Sequence, residues 1–543
     1  MVLPQIDARF AERLRTAVAA QLPEFLPHQR WFRSKARRIQ SAQLSDCIPV
    51  PVPRSVALVA LVAVEFSEGG AETYVVPLIA SPPGRACPPE AIAVRLPASS
   101  ADSGQILIDA LSDAEFLSEI FRAIVNASSF AGQCGELYAS PEPGLEEDRP
   151  SSATALPQPR LLRGEQSNSS IVFGDRFILK FFRRVEEGVH PDLEIGRFLA
   201  SIAHFQNVPP VCGSLSYRTN ASGVMTLGIL QRFIPNRGDA WRQTVDSLVE
   251  LFASPDHPTG EALPGSVRPS ASNAKSNPAV CEPSARFGKQ LELVRLLGTR
   301  TAELHLALAS SGAHPAFAPE RFTPELRERM EVAFHDLVVH NFAMLRLKIA
   351  ELPNPVAGLT EDILKLEDDA LLVRHSILEK EISSIRIRIH GDYHLGQVLF
   401  TGSDFFIIDF EGEPARSLSQ RRDKRSPLQD VAGMLRSFHY AACAASGLAK
   451  QRLAGLPGAG SNVDALAAEW QTLASVEFLR SYRSTVGDAT FVPADSVEFD
   501  ALLRIFLLEK AVYELGYELN NRPTWLYIPL QGIRDILSAP KTP

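Results

Sequence analysis

Two short segments of this sequence carry residue types that suit phosphoryl transfer. The first reads IHGDYHLGQ at 389–397, and the second reads IIDFEGEP at 407–414. Phosphoryl transfer depends on positioning and charge neutralisation, so one carboxylate must orient the acceptor hydroxyl while other oxygens hold Mg²⁺ on the phosphates. In the pattern H-x-D-x-x-x-x-N followed by a downstream Asp, Asp392 takes the position of the base, and Gln397 and Asp409 take those of the metal ligands.

Gln397 departs from this pattern, because kinases have Asn at that position. Both amides offer a carbonyl oxygen that a hard cation accepts, so the departure is compatible with a Mg²⁺ site. Each segment alone could be a plain turn or a solvated acidic loop. Together, at this spacing and with an apolar strand between them, they indicate a kinase that uses ATP as co-substrate and Mg²⁺ as cofactor.

Candidates for ATP binding lie further toward the N-terminus. The run FILKFF at 177–182 places Lys180 alone inside an apolar strand, where a charge is costly unless it has a partner. Glu194, at the start of the next predicted helix, is the candidate partner, and a lysine that reaches solvent from a strand end is the alternative. The loop at 165–170 is not glycine-rich, but its amides and hydroxyls can still cradle phosphates. The ATP-binding candidates are Lys180, Glu194, Ser167, Asn168, Ser169, Ser170, Arg232 and Ile234.

The elements that must position these residues fall into a β-rich first part and a helical second part. We predict β-strands at 56–66, 73–79, within 161–184 and at 226–235, a helix over 106–126 and another from 191, and mainly helices after 289. This order predicts an α+β protein with a bilobal, eukaryotic-kinase-like fold: a β-rich N-lobe and a mainly helical C-lobe. The stretch 254–286 is rich in Ser, Pro and Ala without periodicity, which indicates a disordered insertion.

Composition narrows the function classes. A formal net charge of −8 argues against a general nucleic-acid binder. The six cysteines are scattered without a C-x-x-C pair, and no apolar run is long enough to span a bilayer. The first residues contain Asp7 and Glu12 and no apolar signal region. We therefore expect a cytoplasmic protein whose partners are ATP and a small molecule, with neither nucleic acid nor membrane.

At these motifs the sequence resembles the maltokinases, and the resemblance covers most of the chain. It includes QRWFRSK at 29–35, GEQSNSSIVFGDRFILKFFRR at 164–184, the segment from HGDYHLGQVL to IIDFEGEP, and EKAVYELGYELNNRPTWLYIPLQGI at 509–533. Maltokinases transfer phosphate from ATP to maltose with Mg²⁺, giving maltose 1-phosphate for glycogen and α-glucan synthesis. Some are fused to a trehalose synthase, so the resemblance implies a possible association with that enzyme.

The resemblance also implies a domain organisation. Maltokinases are similar to aminoglycoside phosphotransferases and have an additional N-terminal cap subdomain. By this resemblance, residues 1–110 form the cap, 111–235 form the ATP-binding N-lobe, and 236–543 form the helical C-lobe with the catalytic loop and the sugar site.

The C-terminal helix carries the candidate sugar-binding residues. At 100° per residue, its apolar side chains share one arc, which contains Ile505, Leu508, Val512, Leu515 and Leu519. The opposite arc contains Lys510, Tyr513, Glu514 and Tyr517. Aromatic faces with hydrogen-bonding neighbours suit a sugar, although tyrosines that pack on another helix are the alternative. The resemblance favours the sugar, with Arg522, Trp525 and Glu411 as further contacts.

Three residues are candidates for supporting the catalytic loop. His390 and His394 lie within the loop motif, and a packed core histidine is the alternative for His394. Asp430 precedes the apolar helix VAGML and is expected to bind the backbone of the catalytic loop, or at least to act as an N-cap.

Two other functions remain open. A kinase for another sugar or amino sugar, such as glucosamine or an aminoglycoside, would use the same ATP machinery. Acidic side chains could meet its ammonium groups; they are Glu411, Glu413, Glu514 and Glu518. A non-catalytic pseudokinase would lack one of Lys180, Asp392 and Asp409, but all three are present.

Overall fold

The structure is a computed structural model that describes most of the chain. The described residues are 8–81, 91–96, 105–148, 156–162, 168–221, 223–254, 285–378, 381–454 and 462–538. Ser167 and nearly all of the stretch 254–286 lie outside them, so the expectations for both stay predictions. Within the described residues, no helix is both long and apolar enough to cross a membrane.

The chain forms two compact units. The first unit consists of residues 1–201 with 209–235, and the second consists of residues 202–208 with 236–543. The division into cap, N-lobe and C-lobe at residues 110 and 235 stays a prediction.

The first unit contains thirteen of the described strands and three of the described helices. The strands are β1 (Ile39–Val52), β2 (Ser55–Phe66), β3 (Ala71–Ala80), β4 (Ile92–Leu96), β5 (Gln105–Asp109), β6 (Ser129–Ala131), β7 (Gly135–Pro141), β8 (Pro159–Leu161), β9 (Asn168–Phe173), β10 (Phe177–Phe182), β11 (Arg184–Val185), β12 (Val211–Thr219) and β13 (Val224–Arg232). The helices are α1 (Ala8–Phe25), α2 (Ala114–Val125) and α3 (Pro191–Ser201).

These strands form two sheets. One has the order β1-β2-β3-β5-β4, with β11 also paired to β3, and the other has the order β6-β7-β12-β13-β10-β9-β8. The apolar run at 56–66 is β2, which lies between β1 and β3 and is covered on both faces. Alternate residues therefore enter two different hydrophobic cores, with Val59 in one and Ala60 in the other.

The predicted helix over 106–126 is wrong in its first part. Residues Gln105–Asp109 form β5, which pairs with β3 and β4, and a 3₁₀ turn leads from it to α2 at Ala114. The break occurs because Asp109 accepts a hydrogen bond from the Leu111 amide and Asp113 caps α2 through the Phe116 amide. Sheet pairing thus overrides the helical spacing of the apolar residues.

The second unit is mainly helical. Its described helices are α4 (Ala240–Phe252), α5 (Gly288–Leu308), α6 (Pro324–Lys348), α7 (Asn354–Leu364), α8 (Glu367–Leu378), α9 (Leu418–Arg421), α10 (Leu428–Arg452), α11 (Val463–Val486), α12 (Ser496–Asn521) and α13 (Tyr527–Leu537). Its described strands are β14 (Glu320–Arg321), β15 (Ile385–Arg386), β16 (Val398–Phe400) and β17 (Phe405–Ile407). The predicted order of a β-rich part followed by a helical part is confirmed, and so is the α+β class.

Candidate active site

The loop that carries Asp392 is anchored through its backbone by a buried carboxylate. The amides of His390 and Gly391 donate to the two oxygens of Asp430, at 2.8 and 2.9 Å. His390 Nε2 lies 2.9 Å from the carbonyl oxygen of Ile408, which can only accept, so the hydrogen is on Nε2. Gly391 has φ of +84°, a conformation that favours glycine, and so the chain turns sharply just before Asp392.

Asp430 is itself held by hydrogen bonds among buried side chains, which the sequence prediction did not identify. His305 Nε2 lies 3.1 Å from Asp430 Oδ2, and His305 Nδ1 lies 2.9 Å from the Tyr482 hydroxyl. Thr301, one turn before His305 on α5, contacts the hydroxyl of Tyr393 at 2.9 Å. A histidine inside an apolar helix was the available signal, but a packed core histidine gives the same pattern.

Gln397 and Asp409 lie at the same end of a small β-hairpin. Strand β16 begins just after Gln397, β17 ends just before Ile408, and Val398 pairs with Ile407. The Ile408 amide also donates to the Gln397 carbonyl at 3.0 Å. Asp409 has φ of +69°, which few non-glycine residues adopt and which is often found at functional sites.

Asp392 forms an ion pair with Lys510 on α12, with Nζ to Oδ1 at 3.4 Å. Burial raises the pKa of Asp392. Lys510 and the nearby histidines together lower this pKa by more than burial raises it, so the net shift is downward. Burial lowers the pKa of Lys510, but Asp392, Glu413 and Glu514 outweigh it and raise the pKa. The carboxyl is therefore ionised and the ammonium protonated at neutral pH.

Burial also acts on the other titratable groups around this pair. It raises the pKa of Glu413, although Lys510 opposes the shift, and Tyr513 donates to Glu413 at 2.5 Å. Burial lowers the pKa of His394, whose Nδ1 accepts from the Gly396 amide at 3.1 Å. His394 is therefore neutral near pH 7 and caps the short 3₁₀ turn that leads to Gln397.

The two arcs of α12 differ in burial, as the helical period predicts. The apolar residues Ile505, Leu508, Val512, Leu515 and Leu519 are all buried. On the opposite arc, Tyr517 is 47% exposed, and Glu514 pairs with the buried Arg436, Nη2 to Oε2 at 2.8 Å. A surface tyrosine of this exposure is not a core residue.

Arg522 and Trp525 continue this face beyond the end of α12. Arg522 makes a two-point contact with the buried Glu518, at 2.6 and 2.9 Å, and its guanidinium lies over the rings of Tyr517 and Trp525. Trp525 also stacks on Tyr440, with ring centroids 6.1 Å apart. These contacts give Trp525 a fixed position.

Glu411 lies within the segment that follows Asp409. Its side chain is buried, and its amide donates to the Asp409 carbonyl at 2.8 Å. The Glu411 carbonyl accepts from Arg421 at 3.3 Å. Gly412 follows with φ of +72°, so the chain makes two left-handed steps in this segment.

The ATP-binding candidates lie in the first unit. Lys180 forms an ion pair with Asp192 at 3.2 Å, and Asp192 is buried at the start of α3. Glu194, the predicted partner of Lys180, lies in the first turn of the same helix. The ion pair that Lys180 forms is with Asp192, a carboxylate that the sequence prediction did not name. The spacing from Lys180 could have indicated either residue.

The predicted phosphate loop at 165–170 is shorter than expected at its C-terminal end. Asn168, Ser169 and Ser170 are buried residues of β9, and Ser170 is paired with Lys180 across the sheet. Arg232 ends β13, and its Nη2 lies 3.4 Å from the carbonyl of Gly144. Ile234 follows two residues later.

Parts of the chain are similar to known proteins. Residues 25–113 match the maltokinase N-terminal cap domain. The chain is 24% identical over 378 residues to a glucosamine kinase of Streptacidiphilus jiangxiensis, covering 69% of this chain and 72% of that protein. It is 25% identical over 377 residues to a glucosamine kinase of Mycolicibacterium smegmatis, covering 69% and 78%.

Solved structures extend the likeness to nearly the whole chain. A glucosamine kinase in complex with glucosamine, ADP and inorganic phosphate aligns with a TM-score of 0.59 at 18% identity, over 96% of this chain and 99% of that one. A glucosamine kinase in crystal form B aligns with a TM-score of 0.61 at 19% identity, over 97% of this chain and 99% of that one. The protein therefore has a kinase-like fold. Residues 25–113 are similar to the maltokinase N-terminal cap domain, in agreement with the resemblance to the maltokinases.

Proposed function

We propose that this protein is an ATP-dependent sugar kinase with Asp392 as catalytic base. The observation that carries the proposal is the ion pair between Asp392 and Lys510, because it joins the HGD loop to the polar face of α12. The curated relatives are kinases, which supports phosphoryl transfer to a sugar or amino sugar. The residues assigned to the proton transfer and to Mg²⁺ lie within the second unit, and the ATP-binding candidates lie within the first.

In this mechanism Asp392 orients the acceptor hydroxyl and accepts its proton as the new P–O bond forms. The lowered pKa keeps Asp392 ionised, and the anchored loop amides keep it in place. Lys180 contributes a positive charge for the phosphates of ATP, and Asp192 holds the lysine side chain. Asn168, Ser169, Ser170, Glu194, Arg232 and Ile234 stay proposed ATP contacts, as does Ser167.

Gln397 and Asp409 would hold Mg²⁺ on the phosphates. Their donor atoms, an amide oxygen and a carboxylate at one end of the hairpin, are the hard oxygen ligands that Mg²⁺ prefers. In the part of the chain that the structure describes, no three His, Cys, Asp or Glu side chains converge on a metal position. That fits a site completed by substrate phosphates and water. When bound, the ion neutralises the charge of the phosphates.

We propose maltose as the acceptor, giving maltose 1-phosphate for glycogen and α-glucan synthesis. Lys510 and Tyr517 are seven residues apart on α12, about 10 Å along the helix axis, a length that two linked pyranose rings can follow. Tyr513 and Tyr517 offer aromatic faces, and Arg522 and Trp525 extend the same surface. A maltokinase cap domain on the same chain supports this acceptor.

An amino sugar such as glucosamine is the second candidate, because both curated relatives are glucosamine kinases. The charges near Asp392 favour a neutral sugar instead. Lys510 already supplies the ammonium that pairs with Asp392, and Glu514 is neutralised by Arg436. Glu413 accepts a hydrogen bond from Tyr513.

An assay of ATP consumption with different acceptors tests the proposal. Maltose, glucose, trehalose, glucosamine and kanamycin are compared at equal concentration with Mg²⁺ present. We expect maltose to give the highest kcat/KM. A higher kcat/KM with glucosamine would identify the amino sugar as the acceptor. No turnover with any sugar would contradict the kinase assignment.

Replacing Tyr517 with alanine tests the sugar surface. A lost stacking contact is worth about 0.5–1.5 kcal/mol, so we expect KM for the acceptor to rise about 2- to 13-fold. KM for ATP should stay within about twofold, because Tyr517 is a surface residue of α12. Val497→Ala, at an exposed position of the same helix, is the matched control. A fall in Tm with equal changes in both KM values would indicate a structural role.

Replacing Lys510 with methionine is expected to move the acidic limb of the pH profile. In the wild type, Lys510 holds the pKa of Asp392 below its ordinary value despite burial. Without that charge burial dominates, the pKa rises, and the base is protonated at higher pH. The pH at which kcat/KM falls by half should therefore shift upward in Lys510→Met. An unchanged acidic limb would show that Lys510 does not set the protonation of Asp392.

A further inference from the structure

The strand that carries Lys180 and the strand that follows it belong to different sheets, and a single residue separates them. Strand β10 pairs with β9 and β13 in the second sheet, whereas β11, which begins at Arg184, pairs with β3 in the first sheet. Arg183 lies between them at a bend in the chain. Its carbonyl accepts from the Val75 amide of β3 at 2.7 Å. The backbone after Lys180 is therefore tied to the cap domain.

The Arg183 side chain makes a second connection at the same place. It is only 2% exposed, its Nη2 donates to Asp109 at 2.6 Å, and its Nε donates to the Ser169 hydroxyl at 2.9 Å. The guanidinium also lies 4.6 Å from the centre of the Trp31 ring. Trp31 and Asp109 belong to the matched cap domain, and Ser169 lies in β9 beside Lys180.

A carboxylate of the cap holds the next residue in the same way. Glu72 lies 3.4 Å from Arg184 and accepts hydrogen bonds from Ser34 at 2.8 Å and Tyr74 at 2.6 Å. The motif QRWFRSK at 29–35 thus supplies Trp31 and Ser34 to a cluster around the motif FFRR at 181–184. Both motifs are part of the resemblance to the maltokinases, but none of their side chains has a direct role in the proposed reaction.

The segment after Arg184 leads to the partner of Lys180. Gly188 donates its amide to the Val224 carbonyl at 2.6 Å, and the ring of His190 stacks on Phe182 with centroids 4.0 Å apart. Asp192 lies in the first turn of α3 and pairs with Lys180. The segment from Lys180 to Asp192 therefore begins and ends at the two members of the ion pair, and the cap contacts it at Arg183 and Arg184.

We propose that Arg183 is a positioning residue through which the cap domain fixes the strand of Lys180. The guanidinium fork joins a cap carboxylate to the strand beside Lys180, so it sets the position of β10 relative to β9. A displacement of about 1 Å in a catalytic group can cost on the order of 100-fold in rate, so small shifts of this strand are consequential. This inference rests on the proposed kinase function.

A double-mutant cycle on the full-length chain tests the proposal. Arg183→Gln is expected to lower kcat/KM for ATP about tenfold or more, with KM for the acceptor within about twofold. In a Lys180→Met background, the same substitution should change kcat/KM for ATP less than twofold, because it acts through the lysine. Equal losses in both backgrounds, or equal changes for both substrates, would overturn the proposal.

Two further variants keep the test decisive if Arg183→Gln does not fold. Asp109→Asn weakens the hold of the cap on Arg183 and should lower kcat/KM for ATP in the same direction, again only when Lys180 is present. Arg54→Gln, in an exposed cap ion pair with Glu115, is the control and should change nothing. An unchanged kcat/KM for ATP in Asp109→Asn would overturn the proposal.

Calorimetric titration of the wild type with ADP and Mg²⁺ tests the kinase function separately from the role of Arg183. Absence of nucleotide binding by the wild type would contradict the kinase function itself. Normal binding by the wild type, with an unchanged Kd and kcat/KM in Arg183→Gln, would contradict only the role of Arg183.

Discussion

Asp392→Asn is expected to lower kcat by on the order of 10²–10⁴, the usual contribution of a positioned general base. Asparagine keeps the size and the hydrogen-bonding shape of the side chain, but it cannot accept the proton of the acceptor hydroxyl. The loop should stay in place, because Asp430 holds it through the backbone amides of His390 and Gly391. Steady-state kinetics with saturating ATP and acceptor measure the effect.

Two measurements show that this loss reports on chemistry rather than on folding. The Kd of ADP with Mg²⁺ should stay within about threefold of wild type, since Asp392 is assigned to the acceptor and not to the nucleotide. Asp488→Asn, at an exposed position of the same unit, should leave kcat unchanged. A folded Asp392→Asn variant with wild-type kcat would remove Asp392 from the mechanism.

Asp409→Ala is expected to weaken Mg²⁺-dependent nucleotide binding about 100-fold or more. The substitution removes a hard-cation ligand, and loss of even an outer partner costs about 10- to 100-fold in metal affinity. Calorimetry with ADP in the presence of Mg²⁺ and then of a chelator isolates the dependence on the ion. Wild type and variant should bind nucleotide equally weakly once Mg²⁺ is removed.

The unusual backbone of Asp409 requires its own control. At φ of +69° alanine is strained by about 1–2 kcal/mol, whereas asparagine tolerates this conformation. Asp409→Asn should therefore keep the wild-type Tm and still weaken the Mg²⁺ dependence, because its amide oxygen lacks the negative charge of the carboxylate. If Mg²⁺ strengthens ADP binding in Asp409→Asn as much as it does in the wild type, Asp409 is not a metal ligand.

Much of this protein could be predicted from local patterns in the sequence. The α+β order follows from short apolar strands early in the chain and longer helical spacing after residue 289, and the apolar arc of α12 follows from the helical period. The HGD and DFE segments indicate phosphoryl transfer because their residue types and spacing are unusual together. Each of these patterns involves neighbours in the sequence, which is why a single chain reveals them.

The tertiary structure decided what depends on residues far apart in the chain. The apolar spacing at 106–112 suits a helix, yet pairing with β3 and β4 makes β5. Asp192, His305 and Arg183 acquire their partners only when strands and helices pack. Burial and a charge 118 residues away together set the protonation of Asp392. Energies of this kind depend on distance in space, which the order of residues alone does not contain.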